Sequence, residues 1–335
     1  MHTLRSAPLS RIPDLAAESH GGLEFGCDAR WRAGRSLVDS VAGFARAVAR
    51  HAGSLRAAGV RPGSVVAVIK RNHADLQALL YAALRVGAVP ALLSLQLGKD
   101  RLLDCLGTLE RPHLLLDVAG VVRLDGAEEV VRRRCGRVFT LEAVDEATER
   151  WAPPLPPGGD EERQGAPSGP GEVLTYDPGS RGLRRLGASE LRARADQLTM
   201  RRARQGRGTD AAHFDFAHAH ACATVLGNLV HAVPFLALTR TELPALDALL
   251  RDRRPVSLEA PAEVLAAWSP LASAPTMPFS SVRRFVASHG KLDRQTVEAL
   301  LAASSEPHPV FVERGARSAS PLHEEGLVTA SRRST

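Results

Sequence analysis

Residues 59–93 read GVRPGSVVAVIKRNHADLQALLYAALRVGAVPALL, and their pattern decides the fold. Val65 to Ile69 form a short apolar run rich in β-branched side chains, as expected of a strand buried on both faces. Ala74 to Val86 follow with helical spacing, and Gly87 ends that helix. Val89 to Leu93 then read as a second strand. A strand, a helix and a strand in this order make a βαβ unit, because parallel strands need a crossover between them.

The same alternation extends in both directions. Upstream, Ser36 is placed to cap a helix with apolar positions Leu37, Val41, Phe44, Val48 and Leu55, spaced three or four apart with one slip. Gly59 closes it. Downstream, Leu114–Leu116 and Val138–Leu141 continue the strand series. The expected fold class is α/β, with two doubly wound lobes and mostly parallel sheets. The stretch from Pro153 to Gly171 interrupts the pattern with six prolines and five glycines, which marks a linker or mobile loop. This predicts a first lobe over 1–152, a linker over 153–171, a second lobe over 172–318 and a disordered tail over 319–335. Within the second lobe, Val173–Tyr176 and Phe235–Leu238 read as strands. Ser189–Arg202 and Ala221–Ala232 read as helices.

Composition narrows the class. The 335 residues are 44% hydrophobic, with a net charge of +6. Lys70, Lys99 and Lys291 are the only lysines among 43 basic residues, a bias ordinary for a GC-rich genome and weak evidence for an anionic ligand. Cys27, Cys105, Cys135 and Cys222 are scattered without a CxxC pair, so neither a disulfide framework nor a zinc site is suggested. With no signal peptide and no apolar run long enough to span a membrane, the expectation is a cytoplasmic protein with no membrane span.

Several segments resemble the adenylate-forming (AMP-binding) superfamily, of the acyl-CoA synthetase and peptide-synthetase adenylation-domain type. Gly59–Val68 is similar to that family's GVRPGDRVAV segment, and Leu84–Pro90 to its LRAGAVxVPL segment. Asn72 stands at the family's step into the next helix. Phe216–Ala221, FAHAHA, resembles the family's PLSHAHG motif on the substrate side. Ser281–Gly290 resembles the strand and turn SLRxxxSGG. The resemblance spans about residues 10–318 and implies the fold of the large N-terminal part of acyl-CoA synthetases. The family's C-terminal small domain, with its catalytic lysine, would follow residue 318 and is expected to be absent.

The resemblance also places the site residues. A remnant of the phosphate loop falls on Gly179, Ser180, Arg181 and Gly182, with Arg185 where the family has lysine. Arg184 replaces the family's proline, while Asp177 and Pro178 add a negative charge and remove an N–H donor. His218, His220, Ser288 and Gly290 mark the substrate pocket. On the nucleotide side Glu313 and Gly315 remain, but the family's magnesium-binding glutamate is replaced. ATP or AMP and magnesium are therefore implied by the resemblance and put in doubt by these residues.

Other chemistries fit less well. His213, His218, His220 and His231 lack metal-ligand spacing and a carboxylate companion, so histidines bonded to backbone are favoured over a metal site. The runs Arg132–Arg134, Arg201–Arg204 and Arg251–Arg254 are separate and lack interleaved aromatics, which argues against nucleic acid. Neither a GxSxG elbow nor a GxGxxG turn is present. Three readings follow. The chain is a degenerate ligase relative, weak or inactive in acyl-adenylate formation, that keeps an acyl or aryl acid pocket. Alternatively it is an active ligase with its C-terminal domain supplied in trans, or a non-catalytic protein that pairs with an intact homologue.

Overall fold

The apolar run after Gly63 is a strand paired in parallel on both of its edges, and one sheet is assembled around it. The computed structural model describes residues 2–28, 32–33, 36–141, 151–158, 171–203, 208–313 and 326–329. In chain order the early elements are α1 (His2–Ser6), α2 (Ile12–His20), β1 (Phe25–Cys27), β2 (Arg32–Ala33), β3 (Ser36–Leu37), α3 (Val41–Ala57), β4 (Val65–Lys70) and α4 (Asp75–Arg85). Then come β5 (Val89–Ser94), α5 (Lys99–Gly107), β6 (His113–Leu116), α6 (Val118–Leu124), α7 (Glu128–Arg134), β7 (Arg137–Thr140), β8 (Val173–Asp177), β9 (Gly182–Leu186) and α8 (Ala188–Ala203). The remainder is β10 (Asp210–Ala212), α9 (Ala219–His231), β11 (Phe235–Ala237), α10 (Leu243–Arg253), β12 (Ser257–Ala260), α11 (Ala262–Trp268), β13 (Arg284–Ala287), α12 (Arg294–Ala302), β14 (Val310–Glu313) and β15 (Gly326–Thr329).

The chain forms two α/β units. Unit 1 comprises residues 1–23, 31–199 and 215–232. Its six-stranded sheet has the order β7-β6-β4-β5-β8-β9 and is parallel except for β9. Ile69, Leu93, Leu114, Leu116 and Leu174 fill one face of it. Unit 2 comprises residues 24–30, 200–214 and 233–335. Its seven-stranded sheet has the order β1-β11-β10-β12-β13-β14-β15 and is parallel except for β15. Trp268, Phe279, Phe285 and Phe311 anchor its core.

Three expectations need correction. The boundary along the chain does not fall at residues 153–171, because β8 adds to the first sheet through parallel pairing of Ala91 with Leu174 and Leu92 with Thr175. The segment to Thr199 therefore belongs to unit 1, and unit 2 draws its strands from both ends of the chain. Ser36 does not cap a helix; Ser40 does, its hydroxyl accepting from the Gly43 N–H at 3.3 Å. Finally, Gly326–Thr329 lies within the expected tail but forms β15, antiparallel to β14. Residues 159–170 of the expected linker lie outside the described residues.

In an open parallel sheet, ligands enter where neighbouring strands send their connections in opposite directions. In unit 1 that point lies between β4 and β6, and the chain fills it with its own carboxylate. Asp117 is 1% exposed; it accepts from the Arg71 N–H at 3.0 Å and caps α6 through the Gly120 N–H at 2.8 Å. Gly120 packs so closely that a Cβ would sit 2.3 Å from the Ile69 carbonyl oxygen. Gly120→Ala should therefore lower stability by about 2 kcal/mol or more, read from urea unfolding. In unit 2 the corresponding point lies between β10 and β12, where the His213 N–H donates to the Glu259 carbonyl at 2.7 Å.

At the end of β4, Lys70 pairs with Asp75 at 2.7 Å. Burial raises the Asp75 pKa, but Lys70 and His73 outweigh it, and the carboxyl is held well below the usual range. A depressed pKa adds stability above the unfolded value, near 4, and that contribution is lost as pH falls through the folded value. Below about pH 4 the wild-type protein should lose stability with a steeper slope than Asp75→Asn, measured by urea unfolding at stepped pH.

Candidate functional site

The Gly-rich stretch expected to wrap phosphate is the tip of a β-hairpin. β8 and β9 pair in antiparallel register from Val173 with Leu186 to Asp177 with Gly182, leaving Pro178–Arg181 as the turn. Pro178 has no N–H to offer. The Gly179 and Ser180 N–H groups both donate to the Asp177 carboxylate, each at 3.2 Å. Hydrogen bonding from the Ser180 side chain, opposed by slight burial and aided by the Gly179 and Ser180 amides, lowers the Asp177 pKa. Arg181 takes a left-handed conformation with φ 55°.

The arginines beside this turn are also engaged. Arg184 pairs with Glu190 at 2.6 Å, and Glu190 is shared with Arg194 at 2.7 Å. Arg185 sits in β9 opposite Leu174 and pairs with Glu172. The turn thus presents a carboxylate to its own N–H donors, and Arg184 and Arg185 of β9 face carboxylates of the same unit. As arranged, it does not fit the phosphates of a nucleotide. Nor, among the described residues, do three or more His, Cys, Asp or Glu side chains gather as a metal site.

The histidine segment is built differently. His218 is the N-cap residue of α9 and makes no side-chain capping bond. Its Nε2 lies 3.7 Å from Asp215, whose side chain is 6% exposed. Asp215 also accepts from the Ser94 hydroxyl at the end of β5 and from the Ala217 N–H at 2.9 Å. Two bonds from other elements hold the segment in place. The Phe216 N–H donates to Asn72 Oδ1 at 2.8 Å, and Gln77 Nε2 donates to the Phe216 carbonyl at 2.7 Å. Ser94, Asp215 and His218 therefore form one polar cluster in unit 1, at the carboxyl end of a parallel strand. His220 lies in the first turn of α9, half-buried.

The remaining expected residues belong to unit 2. Ser288 follows β13, its hydroxyl 3.3 Å from His289 Nδ1, while His289 Nε2 is 3.6 Å from Glu263. Gly290 has φ 79°, and a Cβ there would meet the Ala262 Cβ at 2.9 Å. Glu313 ends β14 and accepts from the Leu292 N–H at 3.4 Å. Gly315 lies outside the described residues. His213 is bonded to backbone, its Nδ1 2.9 Å from the Leu238 carbonyl; burial lowers its pKa. His231, in unit 1, instead pairs with Asp196 at 2.8 Å.

Sequence reasoning missed Ser94, Asp215 and Glu259. Asp215 carried a signal, since a carboxylate three residues before His218 is close enough to touch it. Glu259, 2% exposed, carried another as a lone acid in a buried strand at the point where the second sheet changes direction.

Residues 40–312 match the family described as AMP-binding enzyme. The chain belongs to that family. It is 29% identical over 286 residues to the 3-amino-2-hydroxy-4-methoxybenzoate diazotase of Streptomyces cremeus, covering 78% of this chain and 52% of that protein. It is 36% identical over 165 residues to the feruloyl-CoA synthase of Amycolatopsis sp, covering 47% of this chain and 29% of that one. The chain thus spans about half or less of the length of these relatives. Among solved structures it is similar to a long-chain-fatty-acid-CoA ligase from Archaeoglobus fulgidus, with a TM-score of 0.73 and 16% identity over 91% of this chain and 63% of that one. The α/β architecture with mostly parallel sheets is that of the N-terminal domain of acyl-CoA synthetases. Among the described residues no helix is long and apolar enough to cross a membrane.

Asn72→Ala leaves the Phe216 N–H without its acceptor and should loosen the segment that carries His218. Amide exchange at Phe216 and Ala217 should accelerate, and global stability should fall by about 1–3 kcal/mol.

Proposed function

We propose that this chain is a degenerate member of the adenylate-forming ligases, weak or inactive in acyl-adenylate formation on its own, that keeps a pocket for an acyl or aryl acid. The hairpin tip carries the reading. Adenylate formation needs donors aimed at a triphosphate, and here the Gly179 and Ser180 N–H groups serve Asp177. Two related proteins are named for aromatic acids, a substituted benzoate and ferulate, which favours an aryl acid as the ligand. His218 and its Asp215 partner are the residues proposed to meet that acid, with His220 in the first turn of α9. Glu313 and Gly315 are the proposed remnant of the nucleotide side.

A second reading rests on Arg185, whose side chain is 62% exposed. An exposed ion pair contributes little, so the guanidinium can leave Glu172 for a phosphate at small cost. The protein would then be a working ligase assisted by a C-terminal adenylation domain from another polypeptide.

Acid-dependent ATP–pyrophosphate exchange separates the two. With a panel of benzoates and cinnamates, the purified chain should show no exchange above background, and exchange at enzyme-like rates would overturn the first reading. Exchange that appears only after mixing with a separate C-terminal domain, and fades in Arg185→Ala, would establish the second. Calorimetry with the same acids should give saturable binding that weakens at least tenfold in His218→Ala.

A further inference from the structure

We infer that Asp177 is the residue that decides against phosphate in this loop, acting as a built-in anion that holds the two amide donors a phosphate oxygen would need. Three observations support this. First, the donors are present: Gly179 and Ser180 offer consecutive N–H groups at a turn, an arrangement suited to an anion. Second, both point at one carboxylate, with Oδ1 taking Gly179 and Oδ2 taking Ser180. A carboxylate that takes both amides leaves neither for a phosphate oxygen. Third, the carboxylate belongs to the chain, at the end of β8, where the hairpin register with Gly182 fixes it. An external phosphate must displace a tethered ligand and endure repulsion from it, so its apparent affinity falls by the fraction of time the donors are free.

The surrounding charges sharpen the assignment. Arg184 lies near Asp177 and is paired with Glu190, while Arg101 of α5 reaches the Arg181 carbonyl at 3.4 Å. Arg185 is paired with Glu172. These arginines are engaged with groups of the same unit, so the two amides are the donors that Asp177 alone controls. Removing that one carboxylate should free both amides for an external anion. This deepens the reading that the chain is weak in nucleotide chemistry and rests on it.

The test uses the whole chain with inorganic tripolyphosphate, by calorimetry and by amide shifts in nitrogen-15-labelled protein. Asp177→Ala removes charge and acceptor; Asp177→Asn removes the charge but keeps one acceptor oxygen. The wild-type protein should show no saturable binding at millimolar concentration. Asp177→Ala should bind at least tenfold more tightly, with the Gly179 and Ser180 amide resonances moving on titration, and Asp177→Asn should fall between. Equal, weak binding by a folded Asp177→Ala overturns the inference, as does tighter binding that leaves those two amides unmoved. If Asp177→Ala does not fold, an Asp177→Asn protein that gains no affinity overturns it instead. Micromolar binding of magnesium–ATP by the wild type would overturn the weak-ligase reading itself. Absence of binding in wild type and variants alike would leave that reading standing and remove only the role given to Asp177.

Discussion

Strand β4 pairs in parallel with β5 on one edge and β6 on the other, and Val66, Ala67, Val68 and Ile69 are fully buried. Much of unit 1 follows from that constraint. A strand with both edges used and both faces covered can carry only apolar residues, which is why the run after Gly63 is so plain. Parallel neighbours require crossovers, and the crossovers are the helices that cover the faces. The carboxyl ends of the strands then fall along one edge. Lys70, Ser94 and Asp117 all lie at or just past those ends, so the polar chemistry of the unit gathers where the apolar strands stop.

The sequence disclosed what is local and hid what is not. The βαβ unit over residues 59–93 was legible because its signal is periodicity within a few turns of chain. The assignment of β8 to the first sheet was not, because pairing Ala91 with Leu174 joins residues far apart in sequence and leaves no trace in either segment alone. The proline- and glycine-rich stretch before β8 reads as a boundary, yet the next strand returns to the sheet the chain had left. The cap was misread for a smaller reason. Ser36 and Ser40 are both acceptable caps, and Leu37 keeps the helical spacing to Val41, so the apolar pattern alone does not distinguish them. Strand β15 has four residues and takes its stability from the edge of β14, so its own sequence says little.

The site was legible in residue type but not in arrangement. Glycine and serine at 179, 180 and 182 signal a loop able to approach an anion. Nothing in that pattern tells which anion arrives. The answer depends on Asp177 standing at a strand end, where hairpin pairing aims its side chain back over the turn. The histidines show the same limit. His218 was found by its motif, whereas Ser94, far away in sequence, meets Asp215 only because β5 ends beside the segment before α9.

A common device links the two ends of unit 1. At the crevice between β4 and β6, Asp117 satisfies the N-terminus of α6 and the Arg71 N–H; at the hairpin tip, Asp177 satisfies two amides. In both places a carboxylate from the chain itself takes two main-chain N–H donors. The two differ in accessibility. Asp117 is buried and bonded from two elements, so opening its site would strand a charge in the interior at a cost of several kcal/mol. Asp177 lies at a surface turn, so replacing it leaves no charge in the interior and frees two amides to meet water. Asp117 thus belongs to the framework of the sheet, while Asp177 governs only the two donors at the hairpin tip.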